Sequence, residues 1–346
     1  MAKAAASGKV QMAVKHGKIF LPARDYQKAF YWLCTVLRYY LAFAMFYYGF
    51  QKVVKVQFPM PSPDRLVEPV GAMSPMSLAW LYMGHSTGFN YFTGIGEITG
   101  GLLLLFRRTT TIGALLVLVI TGNIVAINLC FDVPVKLLST ALAGVSIFLL
   151  AKDARSLVNL FFFHQTVALS KMEPPRFNSR WKNIALRSFK YIFAAYGVFH
   201  YLNLGVGYGK VYGDNAEKPP LYGIYNTETF IRNNDTVAPL ATDSIRWHKF
   251  IVNSRFRSSQ IIFMNDSAKK YNVATDTLKH IITINSTKDT VNKYLFSYTQ
   301  AKNGDLQLNG KWGRDTLIVK LKKYSLDNFI LINRGFHWVN ETPFVR

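Results

Sequence analysis

Tyr91-Phe-Thr-Gly-Ile-Gly-Glu97-Ile-Thr-Gly-Gly-Leu-Leu-Leu-Leu-Phe106, followed at once by Arg107-Arg108, decides the class of fold. It is an apolar, helix-length run with one carboxylate inside it and a basic pair at its end. An ionised carboxylate is expensive in hydrocarbon, so Glu97 is expected to have a partner or a task. Working outward, Ala29–Phe50 precedes it, and Ile112–Phe131, Val135–Ala151 and Tyr191–Val206 follow, which predicts five membrane-crossing helices. Each approaches the roughly 20 residues that cross about 30 Å of hydrocarbon, and the shorter runs are expected to extend or tilt. Pro134 suits the first turn of the fourth.

The averages hide this division. The chain has 346 residues, 50% of them apolar, and a mean hydropathy of +0.11. Residues 29–206 hold nearly all the long apolar runs, whereas 207–346 read as a polar, strand-rich domain large enough to bury its own core. Net charge is +22, with 21 Lys/Arg against 7 Asp/Glu up to residue 206 and 20 against 12 beyond it. In the first part the positive charge gathers at Lys3 to Lys28, Arg107-Arg108 and Lys152 to Lys190, which are alternate inter-helix segments. That is the positive-inside pattern, and it argues for contact with lipid rather than nucleic acid. With five crossings it predicts a cytoplasmic N-terminus and a C-terminal domain on the outer side of the membrane.

The expected organisation is a basic cytoplasmic tail (1–28), a four-helix transmembrane bundle (29–153), an amphipathic interfacial segment (154–182), a fifth transmembrane helix (183–208) and an extracytoplasmic β-domain (209–346). Between the first two spans the proline-rich stretch 58–90 predicts an outer loop with one short interfacial helix, Ser77–Met83, placing Trp80 and Tyr82 at headgroup level. Residues 155–170 are too broken to span and are read as lying on the surface. From Leu221 the period becomes two: Tyr294, Phe296 and Tyr298 alternate with Leu295, Ser297 and Thr299, and Leu317, Val319 and Leu321 with Ile318, Lys320 and Lys322. Turn signals fall at Asn233-Asn-Asp, Asn265-Asp, Asn303-Gly-Asp and Asn309-Gly. About eight short strands in meander order predict a small antiparallel barrel or sandwich.

Two polar constellations carry the candidate chemistry. Arg38 and Glu97 each lie nine residues from the inner end of their spans, about 13 Å deep, so an ion pair between antiparallel helices is expected there. Lys52, Asp132, Lys136 and Asn128 form a second, outer set, in which Asp132 and Lys136 stand at i, i+4; a solvated cluster and a small-oxyanion site are its two readings. Gly96 and Gly100 present a small-residue face for close helix packing, and their spacing is not that of a phosphate-binding loop. Cys34 and Cys130 belong near opposite ends of their spans, too far apart for a disulfide. The seven histidines are scattered, with no zinc or haem arrangement, so no metal is expected. There is no P-loop.

Arg38 with Gly49-Phe-Gln-Lys52, the run Phe92 to Ala114 and the stretch Asn128-Leu-Cys-Phe-Asp132-Val-Pro-Val-Lys136 resemble DoxX-like membrane proteins. The runs Leu308 to Leu317 and Arg334 to Phe344 resemble the added C-terminal domain of a bacterial version of that family. The resemblance covers about residues 29–346 and implies a four-helix core, with the fifth span carrying the outer domain. It carries Arg38, Lys52, Glu97, Asp132 and Lys136 over as family-like positions. One branch resembles subunits of a thiosulfate:quinone oxidoreductase; other relatives look like accessory or cargo-binding proteins. The leading expectation is an accessory or binding protein with a buried Arg/Glu centre, its outer β-domain holding a lipophile or an envelope partner. The alternative is a membrane subunit of a quinone-linked oxidoreductase, with quinone as the candidate cofactor and Glu97 handling its protons.

Overall fold

The computed structural model describes residues 13–15, 18–20, 23–168, 178–254, 256–287, 292–340, 342 and 344. Most of the basic tail, and the stretch 169–177 of the interfacial segment, lie outside them. Two three-residue strands, β1 (Ala13–Lys15) and β2 (Lys18–Phe20), pair antiparallel ahead of the helices.

The helical part runs α1 (Ala23–Val53), α2 (Pro63–Val67), a 3-10 turn at Val70–Ala72, α3 (Pro75–His85), α4 (Thr87–Leu105), α5 (Thr110–Cys130), α6 (Lys136–Ala151), α7 (Ala154–Phe163) and α8 (Arg180–Tyr212). Cys34, Leu41, Ala42, Met45 and Phe46 form the buried stripe of α1, one face at helical spacing. Ser74 caps α3 by accepting from the Ser77 N–H, with Pro75 at the first position. By length and apolar composition two described helices could cross a membrane unaided, α1 from Tyr26 and α5. The pair α6 and α7, bent by 81°, makes a third candidate if it is one broken span. α4 carries Asn90 and Glu97 in its 19 residues, and α8 opens with Arg180, Lys182, Arg187 and Lys190, which lowers the apolar average of both.

Chain contacts divide the molecule into two units. One joins residues up to Phe50 with Ile95–Asn203; the other joins Gln51–Gly94 with Leu204–Arg346. In the first, α1, α4, α5 and α6 enclose Leu41, Phe46, Leu104, Val117 and Leu142. Gly197 of α8 lies so close to Phe43 that a Cβ there would meet the ring at 2.2 Å.

The second unit holds β3 (Gly223–Arg232), β4 (Asp235–Thr236), β5 (Trp247–Val252), β6 (Ser259–Phe263), β7 (Ala268–Asp276), β8 (Ile281–Ser286), β9 (Lys293–Gln300), β10 (Leu306–Trp312) and β11 (Asp315–Tyr324), then α9 (Ile330–Asn333). Each strand from β5 to β11 pairs antiparallel with the next in sequence, β3 pairs with β5, and β11 returns to β3 with Val319 opposite Phe230. Eight strands therefore form a closed barrel, with the two-residue β4 a short appendage on β3. The predicted alternation is obeyed: Phe296 and Tyr298 in β9, and Leu317, Val319 and Leu321 in β11, point into the core. Trp247, Phe230, Phe250 and Phe296, each no more than 1% exposed, fill the interior, as expected for a barrel of this strand number.

One turn assignment is corrected. Asn233 and Asn234, with φ of 51° and 73°, Asp266 with φ 59° and Gly304 with φ 88° do occupy turns. Asn309-Gly310 instead lies inside β10, paired with Ser297 and Phe296 of β9. Gly310 is there because the neighbouring strand is close: a Cβ would meet the Leu295 carbonyl oxygen at 2.3 Å. The turn falls three residues later, at Gly313 with φ 65°.

Candidate functional site

Arg38 is 6% exposed on the buried face of α1. Its Nη1 donates to Thr110 Oγ1 at 3.3 Å, and the guanidinium lies 5.1 Å from the centre of the Tyr39 ring. Thr110 and Thr111 open α5, and Thr111 Oγ1 donates to Asp153 Oδ2 at 2.7 Å. Asp153, only 1% exposed, also pairs with Lys152 at 2.5 Å. Lys190 of α8 donates to the Tyr31 hydroxyl at 3.0 Å and sits over the rings of Tyr31 and Trp32. A polar layer thus occupies the end of the bundle where α5 begins. Sequence reasoning missed Asp153; the available signal was a carboxylate directly after an apolar helical run.

The expected Arg38–Glu97 pair is not formed. Glu97 is 1% exposed, but the helix register separates the two. Gly101 of α4 faces Ala42 and Phe46 of α1, while Arg38 meets Thr110. Continuing this antiparallel register puts Glu97 opposite Tyr48, with which it interacts electrostatically. Ten residues at 1.5 Å rise place that level about 15 Å from Arg38. Side chains also lean towards the N-terminus of their helix, so on antiparallel helices these two lean apart. The depth count failed because it aligned the inner ends of the two apolar runs, whereas α1 continues well past the inner end of α4, which lies near the level of Arg38.

In the outer set, Asp132 and Lys136 pair with each other at 2.5 Å on the surface, and this hydrogen bond holds the Asp132 carboxyl below the usual carboxylate range. Asn128, 4% exposed, donates instead to Ser139 Oγ at 2.9 Å, tying α5 to α6. Lys52, 6% exposed, lies 6.0 Å from the centre of the Phe58 ring. At Gly100 a Cβ would meet Val117 at 2.6 Å, whereas at Gly96 it would find ordinary contact with Ile120. Gly101 and Gly113, which sequence reasoning passed over, are tighter against backbone: a Cβ would meet the Ala42 carbonyl oxygen at 3.0 Å and the Leu103 carbonyl carbon at 3.0 Å.

The second unit has a buried ion pair of its own. Lys55, 5% exposed, pairs with Asp214 at 2.8 Å and donates to Thr87 Oγ1 at 3.1 Å. The other Asp214 oxygen accepts the Met60 N–H at 2.7 Å. The pair therefore joins the end of α1, the start of α4 and the segment after α8, which Gly209 and Gly213 bring against Val54. Asp214 gave no signal in sequence beyond a charged residue in a linker. Both cysteines are free thiols, and among the described residues no cluster of three or more His, Cys, Asp or Glu is placed to hold a metal.

The profile of the DoxX family matches residues 33–131. An uncharacterized protein of Bacillus subtilis (strain 168), YwoB, is 40% identical over 127 residues, 37% of this chain and 80% of that protein. The chain belongs to the DoxX family. Membership and the apolar helices make it a membrane protein. The DoxX match contains Arg38, Lys52, Gly96, Glu97, Gly100 and Asn128, stops just short of Asp132 and Lys136, and leaves the β-barrel outside it. No solved structure matches the chain significantly.

Proposed function

We propose that this DoxX-family chain is a membrane-anchored binding protein whose barrel engages an envelope partner through its outer surface. The filled barrel carries this reading: Trp247, Phe230, Phe250 and Phe296 occupy the space a lipophile would need, so recognition falls to the exterior. That exterior offers an open groove of about 420 Å³ lined by Lys218, Tyr222, Asn303, Lys323, Tyr324 and Ser325. It also offers an uncovered aromatic tail, with Phe336 82% and Trp338 88% exposed.

We place the N-terminus in the cytoplasm and the barrel in the periplasm of a bacterial inner membrane, with five crossings. Arg107, Arg108 and Lys152 in alternate connections support that orientation. The experiment is isolation of the full chain from its own membranes in mild detergent, followed by native mass spectrometry. A stoichiometric protein partner, lost when Phe336 and Trp338 are replaced by Ala, is the expected result. A stoichiometric quinone with quinone reduction, and no protein partner, would overturn it in favour of electron transfer.

A further inference from the structure

Arg38 is a buried cation, and among the described residues no carboxylate pairs with it. Its Nε is buried and has no hydrogen-bond partner among the protein atoms, and its described polar contact is a neutral hydroxyl, Thr110. Arginine cannot shed its proton in a protein, so burial cannot neutralise it. A tyrosine ring face offsets only part of the charge. Arg107, a charged residue within electrostatic reach of Arg38, has the same sign. The carboxylate that meets the next residue of α5, Asp153, is engaged by Lys152 and Thr111. The guanidinium also points at the first residue of the 21-residue helix α5, where free N–H groups and the helix dipole favour an anion. An unmatched buried charge in such a field is strongly unfavourable unless an anion completes it.

We propose that Arg38, Thr110 and the start of α5, with Arg107 beside them, form a site for a phosphate group, supplied by a phospholipid headgroup or by a soluble phosphate. The planar fork of Arg38 suits two phosphate oxygens at once, and its unpartnered Nε is the donor such an oxygen would use. This inference stands apart from the reading of the barrel and does not depend on any envelope partner.

The test uses the delipidated full chain in detergent, unfolded thermally with phosphatidylglycerol, phosphatidylcholine, or inorganic phosphate against chloride at equal ionic strength. The wild type is expected to be stabilised by at least one phosphate source. Arg38→Gln should weaken that response by about tenfold or more, and Arg38→Lys, which keeps the charge but loses the fork, by less. Stabilisation by either phospholipid but not by inorganic phosphate assigns the site to a headgroup; stabilisation by inorganic phosphate assigns it to a soluble ligand. Unchanged melting of the wild type with every source would overturn the proposal, as would variants responding like wild type. Should neither variant fold, a photoactivatable phosphatidylglycerol or phosphate probe on the wild type decides: labelling beside Arg38 and Thr110 supports the site, and labelling only elsewhere overturns it.

Discussion

Replacing Asp214 by Ala strands the ammonium of Lys55, which is 7% exposed at the side chain and among the described residues would keep only Thr87 Oγ1 as a partner. Breaking a buried ion pair in this way costs about 3–5 kcal/mol. Asp214 itself is 27% exposed, so water screens and replaces part of the loss, lowering the figure to about 2–3 kcal/mol. The Met60 N–H also loses its acceptor, worth about 1 kcal/mol, giving at least about 3 kcal/mol in all. The unit containing the pair spans roughly 190 residues. At about 2.1 cal/mol/K per residue, 3 kcal/mol corresponds to a fall in Tm of roughly 8 °C. The assay is thermal unfolding of the full chain in detergent followed by tryptophan fluorescence, with Trp80 packed on Phe58 as a local reporter. The double variant Lys55→Met/Asp214→Leu removes both charges and should recover most of the loss, because nothing is left unpaired. A single variant melting within about 1 °C of wild type, or a double variant as damaged as the single, would refute the reasoning.

Gly310→Ala should destabilise the barrel by about 2–4 kcal/mol, since β9 and β10 must part to relieve a 2.3 Å contact and weaken their ladder; a circular-dichroism melt of the full chain reads this, and an unchanged melt contradicts it. Burial pushes the Tyr225 and Tyr271 hydroxyls up to about 12. The folded state therefore holds protons that the unfolded state releases near 10, so barrel stability should be intact below pH about 10 and fall as pH rises towards about 12. Near-ultraviolet absorbance of tyrosinate would show this as late titration coincident with unfolding, and early titration without unfolding would count against it. Asp132→Ala removes only a solvated surface pair and should leave Tm within about 1 °C of wild type, measured by the same thermal ramp.

Glu97 in its apolar run and the alternating Phe296/Tyr298 and Leu317/Val319/Leu321 patterns made the two parts of this protein legible, because burial demands a local period that shows in the order of residues. The same local logic misplaced a turn at Asn309-Gly310: a glycine required by a neighbouring strand looks, in sequence, like one required by its own backbone. Arg38 and Glu97 were correctly expected to be buried, but their separation was not expected: the register of α1 against α4 sets them about 15 Å apart in level. Asp153 and Asp214 were invisible as partners because each meets residues far away in the chain. By itself, then, the sequence determined that apolar helices precede an alternating all-β domain. Tertiary structure alone decided that β11 closes onto β3, that aromatic side chains fill the barrel, and that Arg38 is left with a hydroxyl rather than a carboxylate. Period is a property of neighbours along the chain, whereas closure and charge pairing depend on the register between segments that only folding brings together.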